Sequence, residues 1–174
     1  MTQTQGFPPI VTPASRVLVL GTMPGVASVK AGQYYAHPRN LFWPMAAEIF
    51  QFDPRAPYES RVGLLQAAGV ALWDVLESVW RPGSLDARID TRTAKANDFN
   101  AFFDNYPSIL RVCFNGRTAH ALYVRKVVPA LRGTLEKECV VLPSTSPANT
   151  TATRTDKLRQ WRAALTVPND ASRP

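Results

Sequence analysis

The chain has 174 residues, 45% hydrophobic and 19% charged, a length that suits one domain with a sizeable core and a composition that excludes disordered and fibrous classes. The 20 Lys and Arg against 13 Asp and Glu give +7 and a pI near 9.8, a balance that suits a polyanion, nucleic acid before an anionic membrane surface, or merely keeps the protein soluble. Cys113 and Cys139 are the only cysteines, which excludes four-thiolate iron–sulfur and zinc sites; each lies in an apolar, β-branched run and reads as a buried strand thiol in a reducing compartment.

The opening MTQTQGFPPIVTPASR has no basic region followed by an apolar one, and no apolar run is long enough to span a bilayer, so a cytoplasmic or nucleoid-associated protein is expected. One domain covers 1–174, with 1–14 expected to be a flexible proline-rich tail and 167–174 a frayed end. Arg16 to Gly21 (RVLVLG) reads as a short buried strand stopped by glycine. The loop GTMPGVASVKAGQYYAHPRN follows it. Leu41 to Phe50 reads as a helix, since Pro44 is tolerated in a first turn. Ser60 can cap RVGLLQAA, which Gly69 ends. Val70 to Asp74 (VALWD) is a second buried strand, and ESVWRPGSLDARID reads as a surface connection. NDFNAFFDNY forms a short helix capped by Asn97 or Asp98, and Ile109 to Asn115 (ILRVCFN) a third strand closed by Gly116. RTAHALYVRKVVPAL is a helix interrupted or ended near Pro129. Cys139 to Leu142 is the fourth strand, PSTSPANTTATR the loop after it, and TDKLRQWRAAL an amphipathic helix with Leu158, Trp161 and Leu165 inward.

Short apolar strands separated by helices predict an α/β sandwich around a mostly parallel sheet. Ligands bind such sheets outside the carboxyl ends of the strands. GTMPG, Asp74, FNG and PSTSPAN each follow a strand, so they should gather at one edge.

Gly21, Gly25 and Gly32 would let backbone N–H groups approach a ligand, but the spacing is neither a Walker loop nor a dinucleotide fingerprint. Tyr34 and Tyr35 could stack on a base or belong to the core, as Phe42 and Trp43 should. Pro143 to Asn149 offers hydroxyls and an amide suited to a phosphate backbone, or is a plain capping loop. Arg154, Lys157, Arg159 and Arg162 follow as solvated charges or DNA contacts. Asp74 is the one carboxylate at a strand end, and His37 in its turn is more often structural than catalytic. No Ser-His-Asp order or metal-ligand cluster stands out. Residue types alone lead to a nucleic-acid or nucleotide binding α/β domain.

The ordered set GTMPG, GQYYAHPRNLFWP, ALWDV, GSLD, NDF, FNG and LPSTSPAN resembles the uracil-DNA glycosylase superfamily, most closely its hypoxanthine-DNA glycosylase branch, from about Val17 to Trp161. The resemblance implies a three-layer α/β/α sandwich with a central four-stranded, mainly parallel sheet. It also implies hydrolysis of the N-glycosidic bond of a deaminated base, hypoxanthine first and uracil or xanthine next, in a nucleotide flipped out of DNA. DNA would be the partner and the protein a monomer, with no cofactor or metal.

On that resemblance Tyr35 stacks on the flipped base, Gly25 leaves the pocket entrance open, and Asp74 stands where uracil-specific relatives carry an asparagine. Two positions depart from the wider superfamily. Met23 occupies the usual place of a catalytic Asp or Asn, and Leu142 that of a histidine. The implied catalytic side chain is then Asn40, positioning water or steadying developing charge, with His37 as a helper or a purine-protonating acid. Thr22 and Met23 amides join Asp74 in reading the base. Ser144, Thr145 and Ser146 grip phosphates, Pro147, Ala148 and Asn149 approach the gap left by the base, and Lys30 and Arg154 add charge. A domain of this fold that binds nucleic acid without chemistry, and a nucleoside or nucleotide hydrolase, are the competing readings.

Overall fold

The computed structural model describes residues 2–81, 92–133 and 137–166. Its strands are β1 (Thr2–Gln5), β2 (Val17–Gly21), β3 (Val70–Asp74), β4 (Leu76–Arg81), β5 (Lys95–Ala96), β6 (Arg111–Asn115) and β7 (Glu138–Leu142). Its helices are α1 (Val26–Ala31), α2 (Phe42–Phe50), α3 (Tyr58–Ala67), α4 (Phe99–Asn105), α5 (Arg117–Leu122) and α6 (Arg154–Leu165). Beyond α5 the chain passes through a π turn at Tyr123–Val127 and a 3₁₀ turn at Val128–Ala130 that holds Pro129.

The continuous apolar runs of β2 and β3 reflect cover on both faces: every residue in them is buried. With β6 and β7 they form a four-stranded sheet in the order β3-β2-β6-β7, every pairing parallel. Val17, Val19, Leu72 and Cys113 face one way, against Phe42, Trp43 and Met45 of α2, Leu65 of α3 and Trp161 of α6. Leu18, Leu20, Trp73 and Phe114 face the other, against Phe99 and Phe102 of α4 and Leu122 of α5. The result is the expected three-layer sandwich. Because the strands are parallel and in register, Gly21 lies opposite Asp74 and Asn115 opposite Leu142 at one common edge.

Helix boundaries follow local chemistry. Asp98 accepts from the Ala101 N–H at the start of α4, and Thr153 from the Asp156 N–H at the start of α6. Helix α3 begins at Tyr58 behind Pro57, earlier than a Ser60 cap would place it, and Gly69 ends the turn after it at φ 77°.

The segment expected to be a loose tail is hydrogen-bonded into the fold. β1 pairs antiparallel with β4, and β4 with β5, in a second sheet of three strands. Ile10 exchanges backbone hydrogen bonds with Leu72 at the outer edge of β3. TQTQ has no apolar face to announce a strand; backbone pairing makes it one. ESVWR, expected to be a surface connection, is the strand that receives it. The GSLD motif at 83–86 and the end at 167–174 lie outside the described residues. No helix among the described residues is long and apolar enough to cross a membrane.

Candidate functional site

Asp74 ends β3 with 3% of its surface exposed. Its carboxylate leans over Gly21: a Cβ there would sit 2.5 Å from Asp74 Oδ1 and 3.4 Å from the Tyr35 hydroxyl. Gly21 is thus required for close approach rather than for a special φ. The chain after β2 is pinned to the chain after β3, Val75 N–H donating to the Gly21 carbonyl and Leu76 N–H to that of Thr22. Asn97 Nδ2 donates to the Asp74 carbonyl at 2.8 Å. Thr22 is buried, and Met23 sends its side chain into the core cluster of Leu20 and Trp73. Gly25 is the N-cap of α1 with an ordinary φ of −73°, and Gly32 ends that helix at φ 64°.

The two tyrosines divide their work. Tyr34 is a fixed post: its N–H donates to Tyr58 Oη at 3.0 Å, its carbonyl accepts from Trp43 Nε1 at 2.8 Å, and its hydroxyl donates to the Pro8 carbonyl at 3.1 Å. Burial, reinforced by the Asp74 charge, pushes its phenol well above the ordinary tyrosine range. Tyr35 has φ 56°, the left-handed region that costs a bulky residue about 1–3 kcal/mol and persists only where neighbours hold it. Those neighbours are Tyr34 on one side and, on the other, Ala36, whose N–H donates to Ser28 Oγ. The Tyr35 ring lies 4.4 Å from that of Phe42, with its hydroxyl buried near Asp74.

The His-Pro-Arg-Asn turn closes on itself. His37 is exposed, its Nδ1 accepting from the Arg39 N–H at 3.1 Å and its carbonyl from the Asn40 N–H at 2.8 Å. Asn40 is half-buried, and its Oδ1 accepts the Phe42 N–H at 2.9 Å, capping the start of α2. That bond fixes the amide orientation and leaves Nδ2 without a protein partner among the described residues.

The loop at 143–149 is fastened from several sides. Asn115, at the end of β6, accepts the Thr145 N–H and donates to Thr145 Oγ1, each at 2.9 Å. The Thr145 carbonyl accepts the Leu41 N–H, joining this loop to the turn that carries Asn40. Ser144 Oγ and Ser146 Oγ accept from the N–H groups of Ser146 and Ala148. From α6, Trp161 Nε1 donates to the Pro143 carbonyl at 2.9 Å and Lys157 Nζ to that of Asn149 at 2.8 Å. Pro147 is half-buried and Ala148 exposed at its outer bend.

Several expectations need correction. Thr145 has no exposed surface and its hydroxyl accepts from Asn115 Nδ2, so its side chain is engaged in shaping the loop. Arg154 is ion-paired with Glu48 at 2.8 Å, which ties α6 to α2 while its side chain stays half exposed. Lys30 is exposed in the last turn of α1. Lys157, expected to be solvated, is 2% exposed. Cys113 is buried, which pushes its thiol up to about 12, whereas Cys139 is exposed because β7 is an edge strand. Asn115 has no assigned role in the sequence, where FNG at a strand end is the available signal; Lys157 reads there as a solvated charge or a DNA contact, and a lysine one turn before an inward Trp161 is the signal for its burial.

The family model described as the Uracil DNA glycosylase superfamily matches residues 8–166. The chain belongs to the uracil DNA glycosylase superfamily. Among its relatives, a hypoxanthine DNA glycosylase of Methanosarcina barkeri is 34% identical over 146 residues, 83% of this chain and 87% of that protein. One of Methanosarcina acetivorans is 32% identical over 162 residues, 92% of this chain and 97% of that protein. A solution NMR structure of a candidate uracil DNA glycosylase from Methanosarcina acetivorans superposes with a TM-score of 0.79 at 32% identity, covering 94% of this chain and 97% of that one. Against the pattern of the superfamily, the two departures have one structural account. Met23 fills one face of the core and Leu142, 3% exposed, the other. Both side chains are committed to packing in those clusters.

Proposed function

We propose that this protein is a monofunctional DNA glycosylase that removes a deaminated base, hypoxanthine first, from a nucleotide flipped out of DNA. The observation that carries the reading is the shared edge of the sheet: Asp74, the strained Tyr35 and Asn40 stand there on segments pinned to one another, in a chain whose relatives are named for hypoxanthine.

Water attacks the anomeric carbon while the bond to the purine nitrogen breaks; the base leaves with the electron pair, the sugar passes through an oxocarbenium-like state, and the proton the water sheds is matched, through solvent, by one taken up on the departing purine. Asn40 cannot act as a base at neutral pH, because an amide oxygen is a poor proton acceptor. With Oδ1 held by the Phe42 N–H, its Nδ2 is a preorganised donor for the attacking water or the sugar, which positions without deprotonating. Tyr35 stacks on the base, and the Asp74 carboxyl with the amides of Thr22 and Met23 reads its edge. Gly25 keeps the entrance open. Pro147, Ala148 and Asn149 approach the space that the base vacates, and His37, exposed beside Asn40, holds the turn. A site relying on placement and electrostatics, without a base at position 23, makes a slow enzyme.

The test is a labelled duplex with a single deoxyinosine, treated with alkali to cut abasic sites. Strand scission with the parent protein and none with Asn40→Ala, whose DNA affinity stays near the parent's, is expected. Full scission by Asn40→Ala removes that residue from the mechanism. The placement of Met23 and Leu142 in the core favours one second reading, a domain that binds DNA without chemistry; binding without scission by the parent selects it.

A further inference from the structure

Lys157 is the one lysine among the described residues that is buried. The residue is 2% exposed, and its ammonium donates to the Asn149 carbonyl at 2.8 Å and forms no ion pair among the described residues. The carboxylates of neighbouring elements are engaged elsewhere: Glu48 with Arg154, and Asp156 with Thr153 and Arg159. Burying an ammonium against a single carbonyl is costly, and a methionine of similar length would fill the space without that cost. Burial lowers the pKa of this lysine from its ordinary range, the same cost expressed as titration.

The loop above it explains the expense. Ser144 Oγ and Ser146 Oγ each take a backbone N–H on a lone pair, which leaves their O–H groups to donate outward. The loop therefore presents donors but no charge of its own, and Arg154 beside it is ion-paired with Glu48. A cation held under a thin loop, with no ion pair among the described residues, projects its potential through that loop.

We propose that the buried ammonium of Lys157 is the cation through which the loop at 143–149 binds a DNA phosphate. The inference rests on the DNA reading given above.

The experiment measures binding of the full chain to a duplex with one tetrahydrofuran abasic analogue, by fluorescence anisotropy over a salt series. Lys157→Met removes charge and hydrogen bond; Lys157→Gln removes the charge but keeps a donor toward Asn149. Both should lower the slope of log affinity against log salt by about 0.9, the weight of one phosphate contact, and Lys157→Met should melt no lower than the parent. If Lys157→Met does not fold, Lys157→Gln decides. An unchanged slope in Lys157→Gln overturns the proposal, since the hydrogen bond would then suffice. If the parent binds the duplex but excises no deoxyinosine, the enzymatic reading fails while this one stands; if it excises deoxyinosine and Lys157→Gln keeps the parent slope, only this one fails.

Discussion

Asn115→Ala should damage stability and catalysis together, because one amide links the end of β6 to the turn that carries Asn40. The side chain makes two hydrogen bonds with Thr145, each at 2.9 Å, and such bonds contribute about 1 kcal/mol apiece. Alanine also leaves the N–H and hydroxyl of Thr145, a residue with no exposed surface, without these partners, at about 1–3 kcal/mol. A total near 3–5 kcal/mol corresponds to a fall in melting temperature of about 6–20 °C for a chain of this length. The second effect runs through the Thr145 carbonyl, which holds the Leu41 N–H next to Asn40 at 3.0 Å. Displacing a catalytic group by about 1 Å costs about 100-fold in rate, so single-turnover excision of deoxyinosine should fall to that extent below the melting range. Asn115→Asp keeps an acceptor for the Thr145 N–H, and the Thr145 hydroxyl can turn to donate to it, so most of the stability should return. An Asn115→Ala protein that melts with the parent and excises at the parent rate refutes the linkage.

Gly21→Ala should fold but lose about tenfold or more in excision, since its Cβ would press within 2.5 Å of Asp74 Oδ1 and displace the carboxyl; an unchanged rate would show that Asp74 does not read the base. Deleting residues 1–8 removes the pairing of β1 with β4 and the Pro8 carbonyl that receives the Tyr34 hydroxyl, so differential scanning fluorimetry should show a clear fall in melting temperature, whereas a loose tail would be lost without effect. In a thiol titration at mildly alkaline pH, Cys139 should react in the native protein. Cys113, buried with its thiol pushed up to about 12, should react only after denaturation; equal native reactivity of both would refute its burial.

Much of the sheet was legible because its signal is local. A run such as VLVLG or VALWD that is apolar at every position has few places to go except between two covered faces, and glycine or a polar residue marks where it stops. The sites at the strand ends followed from that reading, since parallel strands must present their carboxyl ends together. Asn40 and Tyr35 were recognisable only by resemblance; nothing in HPRN itself says that the amide oxygen caps α2, or that Tyr35 takes a left-handed backbone. β1 escaped because TQTQ is held by main-chain bonds, which leave no pattern in side chains. The partners of Thr145 and Arg154 escaped for a related reason: a threonine in a polar loop and an arginine on a helix look free until the residues they bond, 30 and 106 positions away, are known.

The sequence by itself determined the layer architecture, the edge at which the strand-end motifs gather and the family, because hydrophobic period, strand stops and motif order are properties of neighbouring residues. Only the tertiary structure decided which polar groups are already committed. It gave Thr145 to Asn115, Arg154 to Glu48 and Asn40 Oδ1 to the start of α2, and it buried Lys157 beneath the loop. Hydrogen-bond capacity and charge are used up by partners that only the folded chain brings together, and what remains unused at the edge of the sheet is what DNA would meet.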